Sequence, residues 1–95
     1  MIVSRSEAAL RDVEGLWFYV AQDSSNAADR LVERIDAAFR NLIEFPGMGI
    51  ARPDLAAELR ALRVDNLIVF YRVGSNEISI ERVLHSRMDA TQVDF

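Results

Sequence analysis

A chain of 95 residues suffices for one compact domain, and 51% hydrophobic with 27% charged residues is ordinary globular composition. There is no cysteine and one histidine, His85, which excludes disulfides, thiolate metal sites and a cysteine nucleophile and argues against zinc, so neither metal nor cofactor is expected. All eleven basic residues are arginine, which excludes lysine Schiff-base chemistry, and a net charge of −4 weighs against wholesale phosphate binding.

The N-terminus, MIVSRSEAAL, lacks the apolar core of a signal peptide. No run approaches the ~18 apolar residues of a membrane span. A cytoplasmic protein is expected.

Ile2-Val3 begins a short strand. Ser4 starts a capping box with Glu7, and Ser6 is an equally good N-cap. The first helix then runs to about Gln22. Leu10, Val13, Trp17 and Val20 fall on one helical face. Gly15 lies inside it and costs ~1 kcal/mol of propensity; it marks close approach of another backbone, or it is incidental. Asp23-Ser24-Ser25-Asn26 breaks the chain and caps a second helix, from Asn26 or Ala27 to about Glu44. Its stripe is Leu31, Ile35, Ala38 and Leu42. Two amphipathic helices joined this tightly form an antiparallel hairpin.

Phe45-Pro46-Gly47 ends the second helix. Met48–Ala57 reads as a loop. A strand is predicted at Glu58–Val64, followed by a tight turn at Asp65-Asn66. Leu67–Val73 and Glu77–Leu84 make a hairpin across Gly74-Ser75-Asn76. The tail, residues 88–95, has little periodicity and is expected to be short and partly mobile.

The order β-α-α-β-β-β predicts an α+β domain spanning residues 1–95, with a helical hairpin packed on one face of a small, mostly antiparallel sheet. Along the central strand Leu67, Val69, Tyr71 and Val73 point one way, and Ile68, Phe70 and Arg72 the other. Both sets are largely apolar, yet there is one helical layer. The second face needs a cover: a partner, the tail, or a second copy.

The run FPGMGIARPDLAAELRALRVDNLIVFYRVGSNEISIERVLHSRMD resembles the ParE branch of the RelE/ParE toxins of bacterial type II toxin–antitoxin systems. The matching features are Pro46, Gly49, Arg52-Pro53-Asp54-Leu55, Leu59-Arg60, Val69-Phe70-Tyr71-Arg72, Arg82-Val83-Leu84-His85, Arg87 and Asp89. The resemblance covers nearly the whole chain, both helices included. It implies a ParD-like antitoxin that wraps the toxin and covers apolar surface, in a heterotetramer or larger complex. It also implies DNA gyrase as the target of a non-enzymatic inhibitor, with no membrane and no sequence-specific nucleic-acid partner. Antitoxin anchors are expected at Leu10, Trp17 and Leu31 on the hairpin, and at Ile68 and Phe70 on the open sheet face.

RelE-like relatives instead cut mRNA on the ribosome. That chemistry needs an acid or base and several cations around the phosphate. Here Arg63, Arg82, His85 and Arg87 would have to supply it. The segment DLAAE (54–58) is acidic or apolar where RelE-like chains tend to be basic, and no tyrosine follows Tyr71. The leading reading is therefore the gyrase inhibitor, with nuclease activity the alternative. Arg60, Arg63, Arg72, Arg82 and Arg87 form a basic strip beside His85 for the target, or else pair with Glu58, Glu77 and Glu81 across strands. Ser24 and Ser25 are caps, and Pro46-Gly47-Met48-Gly49 lacks the helix and lysine of a phosphate loop.

Overall fold

The structure is a computed structural model that describes residues 1–95. Strand β1 (Ile2–Arg5) leads into helix α1 (Glu7–Ala21) and helix α2 (Ser25–Glu44). Then come β2 (Ile50–Ala51), β3 (Arg60–Val64), β4 (Leu67–Val73) and β5 (Glu77–His85). One five-stranded sheet results, in the order β1-β5-β4-β3-β2. Only the β1–β5 pairing is parallel. This is the helix-hairpin-on-sheet α+β architecture expected from the residue pattern.

Each helix begins where a serine is free to cap it. Ser6 Oγ accepts the Ala9 N–H at 3.0 Å, and Ser24 Oγ accepts the Ala27 N–H at 3.1 Å. The Ser4 capping box does not form, because Ser4 is still in β1. The loop between α2 and β3 contains the unexpected edge strand β2, pairing Ile50 with Ala61 and Ala51 with Arg60. Two residues are too few to leave an alternating pattern in the sequence. The strand predicted from Glu58 starts instead at Arg60, since Glu58 takes a left-handed backbone, φ 59°. Asp65 does the same in the β3–β4 turn, φ 52°.

The main core lies between helices and sheet. Leu31, Ile35, Phe39 and Leu42 of α2 meet Leu67, Val69 and Tyr71 of β4 and Ile78, Ile80 and Val83 of β5. Strict alternation along β5 would put Arg82 in that core. A bulge prevents it: Tyr71 pairs with Ile80, but Phe70 pairs with Arg82, so Glu81 is the extra residue. The phase shift sends Val83 inward and Arg82 outward.

The tail packs against the sheet, where the sequence shows little periodicity. Ala90–Gln92 form a 3-10 turn capped by Asp89. Ala90, Val93 and Phe95 pack on Leu59, Phe70 and Leu84, on the face away from the helices. The Phe95 and Phe70 ring centroids are 4.8 Å apart. Of the three covers anticipated for that face, the tail is the one present. Burial of Phe70 and Leu84 drives the packing, a long-range pairing that local periodicity does not encode.

The end of α2 is tied to the sheet by Tyr71 and Arg60. The buried Tyr71 hydroxyl donates to Pro46 O and accepts the Gly49 N–H, both at 2.8 Å. Arg60 donates to the carbonyls of Gly47 and Gly49. A Cβ on Gly49 would sit 2.6 Å from the Tyr71 hydroxyl oxygen, so the position requires glycine. Removing the hydroxyl in Tyr71→Phe leaves a buried N–H and carbonyl without partners. It is expected to cost about 2 kcal/mol of unfolding free energy, and urea denaturation reads the loss as a lower midpoint with unchanged slope.

Candidate functional site

The two helices leave a groove along their outer side, about 500 Å³ in volume. Leu10, Val13, Trp17 and Phe18 of α1 face Val32, Ile35 and Phe39 of α2 across it, and Arg5, Glu14 and Asp36 complete the lining. Leu10 and Phe18 are 51% and 58% exposed. Trp17 is fixed in place: its Nε1–H donates to Asp29 at 2.9 Å and its ring meets Phe18 edge-on. Arg5 lies over the Phe39 ring at 5.0 Å and holds Asp36 through one 3.4 Å contact. An apolar trough with charged neighbours is suited to apolar side chains carried by a second polypeptide.

Of the five expected antitoxin anchors, Leu10 and Trp17 line this groove. Leu31 does not. It is 9% exposed and packs into the main core, while its neighbour Val32 is the residue of that turn that lines the groove. Ile68 is half-buried, and Phe70 is 1% exposed beneath the tail. The open sheet face that Ile68 and Phe70 were to present is therefore already occupied.

The arginines do not form one strip. Register puts Arg60 opposite Tyr71, and it is held by the α2–β2 loop. Arg63 is opposite Ile68, on the other face, where it is exposed and donates to the Asp65 carbonyl. Arg72 donates to Ala57 O and pairs with Glu81 at 3.2 Å. Arg82 reaches round the sheet edge to Asp12 of α1, through two contacts of 2.7 and 2.9 Å. Arg87 is exposed just beyond β5. Of the pairings expected with Glu58, Glu77 and Glu81, only Arg72–Glu81 forms. Backbone carbonyls and Asp12 take most of the rest.

Asp12 does not stand out by pattern, and it is the most heavily used carboxylate. It accepts from Arg82 twice and from the Val83 N–H at 3.0 Å. The paired hydrogen bonds raise the Arg82 pKa above its ordinary value. Nothing local in RDVEG marks Asp12, since its partners lie about seventy residues away. Phe18 and Tyr19 carry a legible signal: three consecutive aromatics, Trp17-Phe18-Tyr19, cannot all face a one-sided core.

His85 ends β5 between two clefts. One, about 210 Å³, lies against the tail and includes Arg52, Asp89 and Thr91. The other, about 290 Å³, lies against α1. The Arg87 N–H donates to His85 Nδ1 at 3.1 Å, leaving the proton of a neutral ring on Nε2. The four residues of the nuclease alternative are thus dispersed. Arg82 is committed to Asp12, and Arg63 is two strands from β5 on a different part of the sheet. No group of three or more His, Asp or Glu is placed to hold a metal ion, and no helix is long and apolar enough to cross a membrane.

A helical hairpin on a mixed sheet, with an apolar groove along the hairpin, defines a small α+β protein. The family model described as "ParE toxin of type II toxin-antitoxin system, parDE" matches residues 3–90, and the chain belongs to this family. Toxin ParE1 of Caulobacter vibrioides is 37% identical, over 90% of this chain and 88% of that one. Toxin ParE3 of the same organism is 30% identical, over 92% and 88%. A solved structure described as "Chromosomal ParDE TA system from P. aeruginosa" shares the fold, with a TM-score of 0.75 and 23% identity over 90% of this chain and 95% of that one.

Two outcomes follow from the site's electrostatics. Asp12→Ala strands Arg82 and the Val83 N–H; with the two side chains 13% and 25% exposed, the loss is about 2–3 kcal/mol after allowing for solvent screening. Thermal unfolding measures it, and Asp12→Asn should lose less. At the tail, hydrogen bonds from Thr91 hold the Asp89 carboxyl below its usual pKa. A lowered folded-state pKa stabilises above the unfolded value and is lost as pH falls through the folded value. The Asp89 cap should therefore hold at neutral pH and loosen in acid, below the ordinary aspartate range. NMR signals of Thr91 and Phe95 follow it, and Thr91→Ala should shift the loosening upward in pH.

Proposed function

We propose that the chain is the toxin of a toxin–antitoxin pair that inhibits DNA gyrase without chemistry of its own, and that a ParD-like antitoxin holds it inactive in the cytoplasm. The observation that carries this reading is the interhelical groove in a chain of the ParE family. Leu10, Trp17 and Phe18 stand at a spacing that an amphipathic helix would match from the other side. The related P. aeruginosa structure is of a ParDE system, which supports an antitoxin of the same kind here. The complex contains at least two copies of each chain.

The target surface in this reading is the end of β5 and the adjoining tail, with His85 and Arg87 at its centre, and the exposed Arg63 lies two strands away, at its periphery at most. Arg60, Arg72 and Arg82 contribute indirectly, by fixing the loops and edge around it. The dispersal of Arg63, Arg82, His85 and Arg87 counts against ribosome-dependent mRNA cleavage, which needs convergent groups around one phosphate.

Inducing the chain without antitoxin separates the two activities. Gyrase inhibition predicts DNA-damage signalling and stalled replication with transcripts intact, and loss of supercoiling by purified gyrase when the chain is added. Cut transcripts with unaffected supercoiling would reject the proposal. In the groove, Leu10→Glu puts a charge where an apolar anchor should dock while altering little of the fold, because Leu10 is already half exposed. Antitoxin affinity should fall by about tenfold or more, with Tm nearly unchanged. Titration calorimetry against the cognate antitoxin measures this.

A further inference from the structure

Glu14 stands inside the interhelical groove, between two of its apolar anchors. It follows Leu10 by one helical turn and precedes Trp17 by three residues, so the three share one row of α1 and line one trough. The ion pairs of the chain engage Glu7, Asp12, Asp36, Asp54, Asp65 and Glu81, and none engages Glu14. Arg5 is the one cation of the lining, and it is already committed to the Phe39 ring and to Asp36. Two carboxylates, Glu14 and Asp36, thus face one engaged cation. Asp29, which accepts the Trp17 Nε1–H, adds a third carboxylate beside them. The walls of the groove are apolar and its balance of charge is negative.

In the free chain Glu14 is exposed, and water solvates it. An occupant that reaches both Leu10 and Trp17 covers what lies between them and displaces that water. A carboxylate covered without a counter-charge opposes binding. A wholly apolar occupant is therefore mismatched to this trough.

We propose that the groove takes an amphipathic antitoxin segment that carries an arginine to Glu14, and that this pair selects which antitoxin the chain accepts. The inference rests on the reading of the groove as the antitoxin site. Arginine fits better than lysine. Its planar fork spans both carboxylate oxygens, and its flat face can rest on the Trp17 ring beside Glu14. Arg5 over Phe39, at 5.0 Å, is the same arrangement within the chain. The net charge of −4 also draws a basic segment from a distance. An antitoxin with an acidic residue at that position is rejected by like-charge contact.

Titration calorimetry of the full chain with its purified cognate antitoxin, at low and at high sodium chloride, tests it. Glu14→Gln should weaken binding by about tenfold or more and flatten the salt dependence. Its Tm should be nearly unchanged, since Glu14 has no ionic partner to lose. Phe18→Ala, which removes an apolar anchor, should weaken binding with the salt dependence kept. Glu14→Leu decides the sign: it should also weaken binding, whereas an apolar occupant would bind it more tightly. One arginine of the antitoxin, replaced by glutamine, should weaken binding to the wild-type chain by a similar factor and add little to Glu14→Gln. Tighter binding by Glu14→Leu overturns the proposal. So does a Glu14→Gln chain with unchanged affinity and salt dependence while Phe18→Ala still weakens binding, an outcome that leaves the groove as the antitoxin site. If neither Phe18→Ala nor Glu14→Gln alters antitoxin binding, the groove is not that site and both readings fall.

Discussion

Strand β5 outruns its neighbour. β1 pairs with Glu77–Ile80 and then stops, leaving the rest of the β5 edge with backbone groups that a buried sheet must satisfy. Helix α1 takes over. The Ser6 N–H donates to Ile80 O, Ser6 Oγ donates to Glu81 O, and Asp12 accepts the Val83 N–H. Ser6 at the cap and Asp12 within the helix thus continue the edge where a strand has ended. The bulge at Glu81 falls in the same stretch and turns Arg82 outward, where Asp12 also accepts it. The placement of α1, its two flanking clefts and the course of the chain into His85 all depend on this splice.

The acidic balance of the chain acquires a local meaning here. Arg60, Arg72 and Arg82 each bind a carbonyl or a carboxylate of a distant segment. They act as ties between loops, helix and sheet, in a protein without cysteine to cross-link them. Arginine suits this role, since its planar fork can reach two acceptors at once and it is always charged. The exposed cations left around the end of β5 are Arg87, just beyond it, and Arg11 on the neighbouring face of α1.

Elements whose signal is local are legible from sequence. The unbroken apolar run places β4 to the residue, and caps and stripes place both helices to within about two residues. Strand β2 escapes because two residues carry no period. The order of the tail escapes because it comes from Phe70 and Leu84, far away in sequence. Layer counting does reveal that a cover is needed, and the tail is one of the covers it allows. Among the expected anchors, Leu10 and Trp17 line the groove because a helix exposes its phase in the sequence. Leu31 turns into the core instead, because its stripe has two sides, one toward the core and one toward the groove. Asp12 cannot be found, since its role exists only once β5 is folded beside α1.

The tail is held in an unusual way for an ordered segment. The hydrogen bonds of residues 89–95 are local to the tail itself, and it meets the sheet through Ala90, Val93 and Phe95. Gln92 and Asp94, between these anchors, face solvent. A segment that keeps these three apolar groups and the Asp89–Thr91 cap keeps the means by which the tail is seated. The surface beside His85 is therefore a replaceable label on a fixed body. Its charge and shape can be rewritten by substitution at the outward positions while the core, the groove and the α1–β5 splice stay as they are.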